Sequence, residues 1–179
     1  MKYTDGLETE RLITRFLTLA DASLWVEYCS DPVATRFTSW SDSPEKMALE
    51  GMQLAMKRYE EGRYGLQALI HKQTGGFIGM CGLMTQEVNG EMVIEIGYHL
   101  LRRFWGQGYA TEAARKFRDY GFENNLADSI VSIIHPLNLQ SQKVAQRNGM
   151  RLVDTAAMFR GNPCYLYRIT REEWVSLIS

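Results

Sequence analysis

Residues 91–120 constrain this chain more than any other stretch. A β-rich run over residues 91–101 leads through Arg103-Phe104-Trp105-Gly106-Gln107-Gly108 into a segment where Ala110, Ala113, Ala114, Phe117 and Tyr120 recur at helical spacing. A strand entering a helix through two nearby glycines leaves the first helical amides bare and clustered. Gly106 and Gly108 admit positive φ without a Cβ clash, so the N–H groups of residues 104–110 can converge on one anion. The helix dipole adds partial positive charge at the same point. Such a turn suits a pyrophosphate.

Other phosphate-binding glycine motifs fail on spacing. A Walker A loop needs a Gly-Lys-Ser/Thr ending that the chain lacks, and a dinucleotide fingerprint would need glycine or alanine where Thr111 stands. The rest of the pattern alternates strands with helices. Residues 11–17 read as a strand, and Thr18 with Asp21 caps a helix through Leu24, Trp25 and Tyr28. Ser43-Pro44-Glu45 opens a second helix, on which Ala48, Met52, Ala55 and Tyr59 share a face. Residues 64–71, 76–85 and 91–101 form an antiparallel meander, turned at Thr74-Gly75 and at the strong hairpin signal Asn89-Gly90.

In the helix after Gly108, Glu112 is placed to pair with Lys116. A buried strand over residues 129–134, a helix over residues 138–148 stopped at Gly149, strands near residues 151–159 and 165–170, and a last helix from Arg171 follow. With no repeat or linker, residues 1–179 are expected to form one α+β domain on a mixed sheet.

Charge narrows the partners. Twenty basic and 21 acidic residues give a net charge of -1, which argues against nucleic acid or an anionic membrane as partner. Cys29, Cys81 and Cys164 are too scattered for a metal site or a disulfide framework and read as structural thiols, with no metal expected. The N-terminus lacks the apolar run of a signal peptide and no stretch is long enough to span a bilayer, so a cytoplasmic setting is the expectation.

The stretch from Ile94 to Ala113 resembles the acetyl-CoA motif of the GNAT N-acetyltransferase superfamily, whose R/Q-x-x-G-x-G/A core is met by Arg103, Gly106 and Gly108. Leu7-Glu8-Thr9-Glu10-Arg11-Leu12-Ile13-Thr14-Arg15, Asn138-Leu139-Gln140-Ser141 and Asn148-Gly149-Met150 are similar to the ribosomal-protein N-terminal acetyltransferase branch. The resemblance covers nearly the whole chain. It implies a mostly antiparallel sheet of about seven strands flanked by helices, with the fourth and fifth strands splayed and a bulge near Tyr98. It also implies acetyl-CoA as co-substrate. Arg103, Phe104, Trp105, Gly106, Gln107, Gly108, Tyr109 and Ala110 would hold the pyrophosphate, and Tyr98 and Asn138 would lie along the pantetheine arm. Asparagine is equally at home as a helix N-cap.

Acetyl transfer to an amine needs a base, stabilisation of the oxyanion and an easy departure of the thiolate. Alternation on the fourth strand puts Glu95, Gly97 and His99 on one face. Burial would raise the Glu95 pKa toward that of a usable base, and related enzymes often give a glutamate here that role; a structural strand carboxylate is the competing reading. His99 is the second candidate, against a merely packed histidine. Many family members use a fourth-helix tyrosine as acid, but Ala145 stands there; the N-terminal acetyltransferase branch points instead to Ser141. Residues 31–42 would line the acceptor pocket, with Phe37 and Trp40 as walls and Asp31 or Asp42 attracting an ammonium. The acceptor is expected to be a primary amine, on a small molecule or a protein N-terminus, and the enzyme a monomer or homodimer. A non-catalytic acyl-CoA-binding domain is the alternative.

Overall fold

The computed structural model describes residues 3–38 and 43–178. In chain order the elements are β1 Leu12–Arg15, α1 Ala22–Cys29, α2 Pro44–Glu60, β2 Gln67–His71, β3 Phe77–Val88, β4 Glu91–Leu100, α3 Tyr109–Glu123, β5 Ser129–Ile134, α4 Leu139–Arg147, β6 Arg151–Phe159, β7 Asn162–Thr170 and α5 Arg171–Ile178. The strands form one seven-stranded sheet in the order β1-β2-β3-β4-β5-β7-β6. Its central pair, β4 and β5, is parallel, and the other neighbours are antiparallel. The fold expected from the sequence is therefore the fold observed.

Local chemistry explains most of the boundaries. Asn89 and Gly90 take φ of 51° and 79°, the doubly left-handed turn that matches strand twist, so β3 runs on to Val88 and pairs directly with Glu91. Ser43 caps α2 by accepting the Lys46 N–H, with Pro44 next to it. The strand expected from residue 64 begins only at Gln67. Tyr3 explains the loss: its hydroxyl donates to the Gly65 carbonyl at 2.8 Å and accepts from the Leu83 N–H at 3.3 Å, replacing the ladder there. The helix expected at Thr18 is first a single 3-10 turn, Leu19–Asp21, with Asp21 held by Arg15 at 2.6 Å.

The sheet is covered on both faces. Ile96, Leu100, Ile130 and Tyr167 pack with Phe117 and Phe122 of α3 and Ala145 of α4. On the opposite face Ala68, Phe77 and Met80 meet Trp25 and Tyr28 of α1 and Ala48, Met52 and Ala55 of α2. A smaller cluster of Val88, Val131, Ala157, Cys164 and Leu166 joins β5 to β6 and β7.

Two expectations are corrected. Glu112 does not pair with Lys116. Its carboxylate accepts from Thr9 Oγ1 at 2.5 Å, from the Arg11 N–H at 2.9 Å and from Arg11 Nε at 2.7 Å, because the approach of β1 to the head of α3 offers three donors where Lys116 offers one flexible charge. Nor does β4 carry a bulge near Tyr98. Its register with β3 is unbroken from Val88↔Glu91 to Gly79↔Leu100, and the irregularities fall elsewhere, between β2 and β3 at Leu69/Ile70 and on β6 between Leu152 and Ala157. The opening around Tyr98 comes from β5 turning away.

Candidate active site

β4 and β5 pair only at Ile94↔Ile130 and Glu95↔Val131, and beyond those residues a gap opens between them. Ser132 Oγ donates to the Ile96 carbonyl across it at 3.3 Å. Backbone groups two residues apart in a strand turn to the same edge, so the Tyr98 N–H and carbonyl face the gap as Ile96 does. A cavity of about 920 Å³ follows this gap from His99 to the glycine turn. That is the scale of a cofactor-sized ligand. Of the residues expected to hold the cofactor or carry the chemistry, all line it except Arg103 and Gln107, whereas Asp31 on the acceptor side does not.

The turn presents backbone to the cavity. Gly106 and Gly108 take φ of 74° and 85°, and α3 starts at Tyr109. Side chains around it are held on neighbouring carbonyls: Trp105 Nε1 donates to the Leu100 carbonyl at 2.8 Å, and Gln107 Nε2, on the surface, to the Arg103 carbonyl at 3.0 Å. Arg103 itself ion-pairs with Glu27 of α1, its guanidinium 5.0 Å above the Phe104 ring. Arg11, which the sequence reading passed over, fastens the turn from outside. It donates to the Gln107 carbonyl at 2.9 Å, pairs with Glu112 at 2.6 Å and lies 4.2 Å over the Tyr109 ring. Among the other basic residues, Lys143 and Arg147 line the cavity, whereas Arg102 pairs with Asp31 at 3.5 Å and Arg115 donates to the Arg147 carbonyl at 3.4 Å.

Glu95 is 8% exposed, and Gln86 Nε2 donates to it at 2.8 Å. Burial raises its pKa above the ordinary value, and hydrogen bonds from Gln86 and the Ile133 N–H only partly offset that. His99 lies on the same face with Nδ1 at 3.1 Å from the Tyr28 hydroxyl; burial lowers its pKa to about 4. On the other face the Tyr98 hydroxyl donates to the Ser141 carbonyl at 2.9 Å and accepts from Ser141 Oγ at 3.0 Å. Burial raises the Tyr98 pKa, so the phenol stays protonated. Asn138 is the N-cap of α4, its Oδ1 accepting the Ser141 N–H at 3.1 Å. Ala145, at the family's tyrosine position, is buried in the core.

At the acceptor side, Phe37 stacks on His135 at 4.7 Å and both line the cavity. A histidine at a strand end carries no motif, so nothing in the sequence marks His135 as a lining residue. Asp31 is committed to the Val33 N–H and to Arg102. Trp40 and Asp42 lie outside the described residues. The three cysteines are buried, and burial raises the pKa of each, that of Cys29 to about 11, so none offers a thiolate. Among the described residues no cluster suits a metal ion, and no helix is long and apolar enough to cross a membrane.

The family model described as the acetyltransferase (GNAT) domain matches residues 11–151, most of the chain. The chain belongs to the GNAT acetyltransferase family. This GNAT chain is 33% identical to the uncharacterized N-acetyltransferase p20 of Bacillus licheniformis, over 95% of its own length and 98% of p20. Its fold is similar to the crystal structure of an acetyltransferase from Agrobacterium tumefaciens, with a TM-score of 0.79, 27% identity and coverage of 94% and 96% of the two chains. It is also similar in fold to RimL, the ribosomal L7/L12 alpha-N-protein acetyltransferase solved with coenzyme A. There the TM-score is 0.73, identity 15% and coverage 93% and 98%. Membership makes acetyl-CoA the co-substrate. The bare amides of the glycine turn and the open edge of β4 fit its pyrophosphate and its amide-bearing arm.

Proposed function

We propose that this acetyltransferase moves the acetyl group of acetyl-CoA to a primary amine, on a small molecule or a peptide or protein N-terminus, by direct attack in a ternary complex. The observation that carries the reading is Glu95, a buried carboxylate without an ion-pair partner among the described residues, at the point where β4 and β5 part. An amine is protonated near neutral pH and must lose that proton before it attacks. A carboxylate whose pKa is raised by burial can take it. His99, with its pKa held at about 4, is the weaker base and instead shapes the site through Tyr28.

The amine nitrogen then bonds to the thioester carbonyl carbon, and negative charge gathers on the carbonyl oxygen, to which the Tyr98 N–H is suited as donor. As the oxygen's charge returns to re-form the carbonyl, the carbon–sulfur bond breaks, its electron pair leaves with sulfur, and the nitrogen gives up its second proton. A thiol resembling that of cysteine has a pKa of about 8.5. Both hydroxyls of the Ser141–Tyr98 pair hold their protons more tightly than that. Ser141 therefore acts first as a hydrogen-bond donor to the thiolate, which is finally protonated by the proton the nitrogen releases. The identity with p20, named as an uncharacterized N-acetyltransferase, is in keeping with nitrogen as the acceptor atom.

The test is release of free coenzyme A thiol across small amines, N-terminal peptides and aminoglycosides. The reading requires thiol release that depends on an amine and matches the acetylated amine mole for mole. Acetyl-CoA bound without turnover by any member of the panel would leave a binding domain and contradict the reading.

A further inference from the structure

His99 has two ring nitrogens, and only one of them is engaged by the protein. Nδ1 lies 3.1 Å from the Tyr28 hydroxyl. Nε2 has no hydrogen-bond partner among the described residues, yet it is not sealed away from water, and His99 lines the cavity. Which nitrogen carries the proton therefore decides whether the acceptor pocket meets a donor or an acceptor here.

Tyr28 settles that choice. Its hydroxyl also lies 3.1 Å from the Ala34 carbonyl. A phenol has one proton, a carbonyl oxygen can only accept, and a histidine nitrogen can do either. Both contacts are hydrogen bonds only if Tyr28 donates to Ala34 and the Nδ1–H of His99 donates to the phenol oxygen. The other tautomer would take the Tyr28 proton for Nδ1 and set the phenol oxygen against the Ala34 carbonyl with no proton between them. Burial lowers the His99 pKa to about 4 and raises that of Tyr28, so the imidazole is neutral and the phenol keeps its proton.

The surrounding residues hold these groups in place. Tyr28 is buried on α1 and stacked on Trp25, with ring centroids 4.1 Å apart and planes 7° apart. Ala34 is presented by Asp31, whose Oδ1 accepts from the Val33 N–H at 2.9 Å and the Ala34 N–H at 3.4 Å while Arg102 pairs with it. The acid expected to attract an ammonium thus builds the turn that takes the Tyr28 proton. Tyr28, Ala34 and His99 all line the cavity.

We infer that Tyr28 is a positioning residue that holds His99 as the Nδ1–H tautomer, so that a bare Nε2 receives a hydrogen-bond donor of the acceptor substrate. His99 then anchors the acceptor, and Glu95 takes the proton. Only the substrate contact rests on the proposed amine acetylation; the tautomer belongs to the protein alone.

The test reads the ring directly. Long-range proton–nitrogen correlation spectra of the protein labelled with nitrogen-15 histidine show which nitrogen of each ring carries the proton. The chain has His71, His99 and His135 alone, so the signals lost in His99→Gln are those of His99. At neutral pH His99 should be the Nδ1–H form. In Tyr28→Phe, which keeps the ring on Trp25, it should move to the Nε2–H form. Nε2–H in the wild type, or a tautomer indifferent to Tyr28→Phe, would overturn the inference.

A second readout is kinetic, with whichever amine of the panel above releases thiol fastest. Loss of one hydrogen bond to the substrate should raise KM about tenfold in Tyr28→Phe, with kcat little changed. His99→Gln can turn its amide oxygen to the cavity without help from Tyr28, so adding Tyr28→Phe to it should raise KM no further. An equal rise in both backgrounds, or none in either, would overturn the role given to Tyr28 and Nε2. Failure of every amine to release thiol, with the tautomer still switching in Tyr28→Phe, would count against the acetylation reading and leave the positioning of His99 standing.

Discussion

Replacing Glu95 by Gln should make the protein more stable and less active at once, and the two effects should separate with pH. Gln keeps the shape, and its one oxygen can still accept from Gln86. It removes a charge that burial disfavours. Because the native pKa is raised above the ordinary value, the native state holds the proton more tightly than the unfolded chain. Wild-type stability is then full below the ordinary carboxylate pKa and falls as pH rises through the raised value. Each tenfold preference for the proton costs the ionised native state about 1.4 kcal/mol. For a chain of this size that is worth roughly 3–6 °C in melting temperature.

Melting curves of the two proteins should therefore coincide near pH 4 and diverge toward pH 8, with Glu95→Gln higher. Turnover should fall by about 10²–10⁴ at neutral pH, the range of a lost general base, and recover as pH approaches the pKa of the amine itself. A variant that melts below wild type at pH 8 would show that the native fold stabilises the carboxylate, by Arg58 or Arg160, and the reasoning from burial would be wrong.

Other outcomes follow from the same geometry. Gly108→Ala places a Cβ in the left-handed region, at a cost of about 1–2 kcal/mol, and disturbs the amides facing the cavity; acetyl-CoA affinity measured by calorimetry should fall about tenfold or more. Glu112→Ala removes the acceptor of Thr9 and Arg11 and should cost about 2–3 kcal/mol at neutral pH in chemical denaturation. Burial would raise the Glu112 pKa, but the bonds from Thr9 and Arg11 lower it overall, so this stabilisation exists above the ordinary carboxylate pKa. It should vanish as pH falls through the lowered value, closing the gap between variant and wild type. Ser141→Ala should lower kcat with acetyl-CoA affinity nearly intact, and Tyr98→Phe should lower it less, since it frees Ser141 without removing the donor. Equal losses in both, read from steady-state kinetics, would place the essential proton on Tyr98.

The sequence made the sheet legible because its signals were local. Asn89-Gly90, Ser43-Pro44 and the period of residues 110–120 each specify a conformation within a few residues. The alternation placing Glu95 and His99 together is likewise a property of one strand. What escaped was long-range. The grip of Arg11 on the glycine turn joins residues about 100 apart in sequence, and Glu112 looked like an ordinary partner for Lys116 until β1 came beside it. The Tyr3 wedge that shortens β2, and the stack of Phe37 on His135, are pairings of the same kind. The expected bulge on β4 came from the resemblance, whereas here the opening is made by β5 departing after two paired residues.

The central claim is that the turn at Gly106 and Gly108 seats the pyrophosphate of acetyl-CoA. Calorimetric titration of the purified protein with acetyl-CoA, ATP and NAD tests it most directly. The expected result is micromolar binding of acetyl-CoA, weakened in Gly108→Ala, with no binding of ATP or NAD. Tight binding of ATP or NAD with none of acetyl-CoA would contradict it.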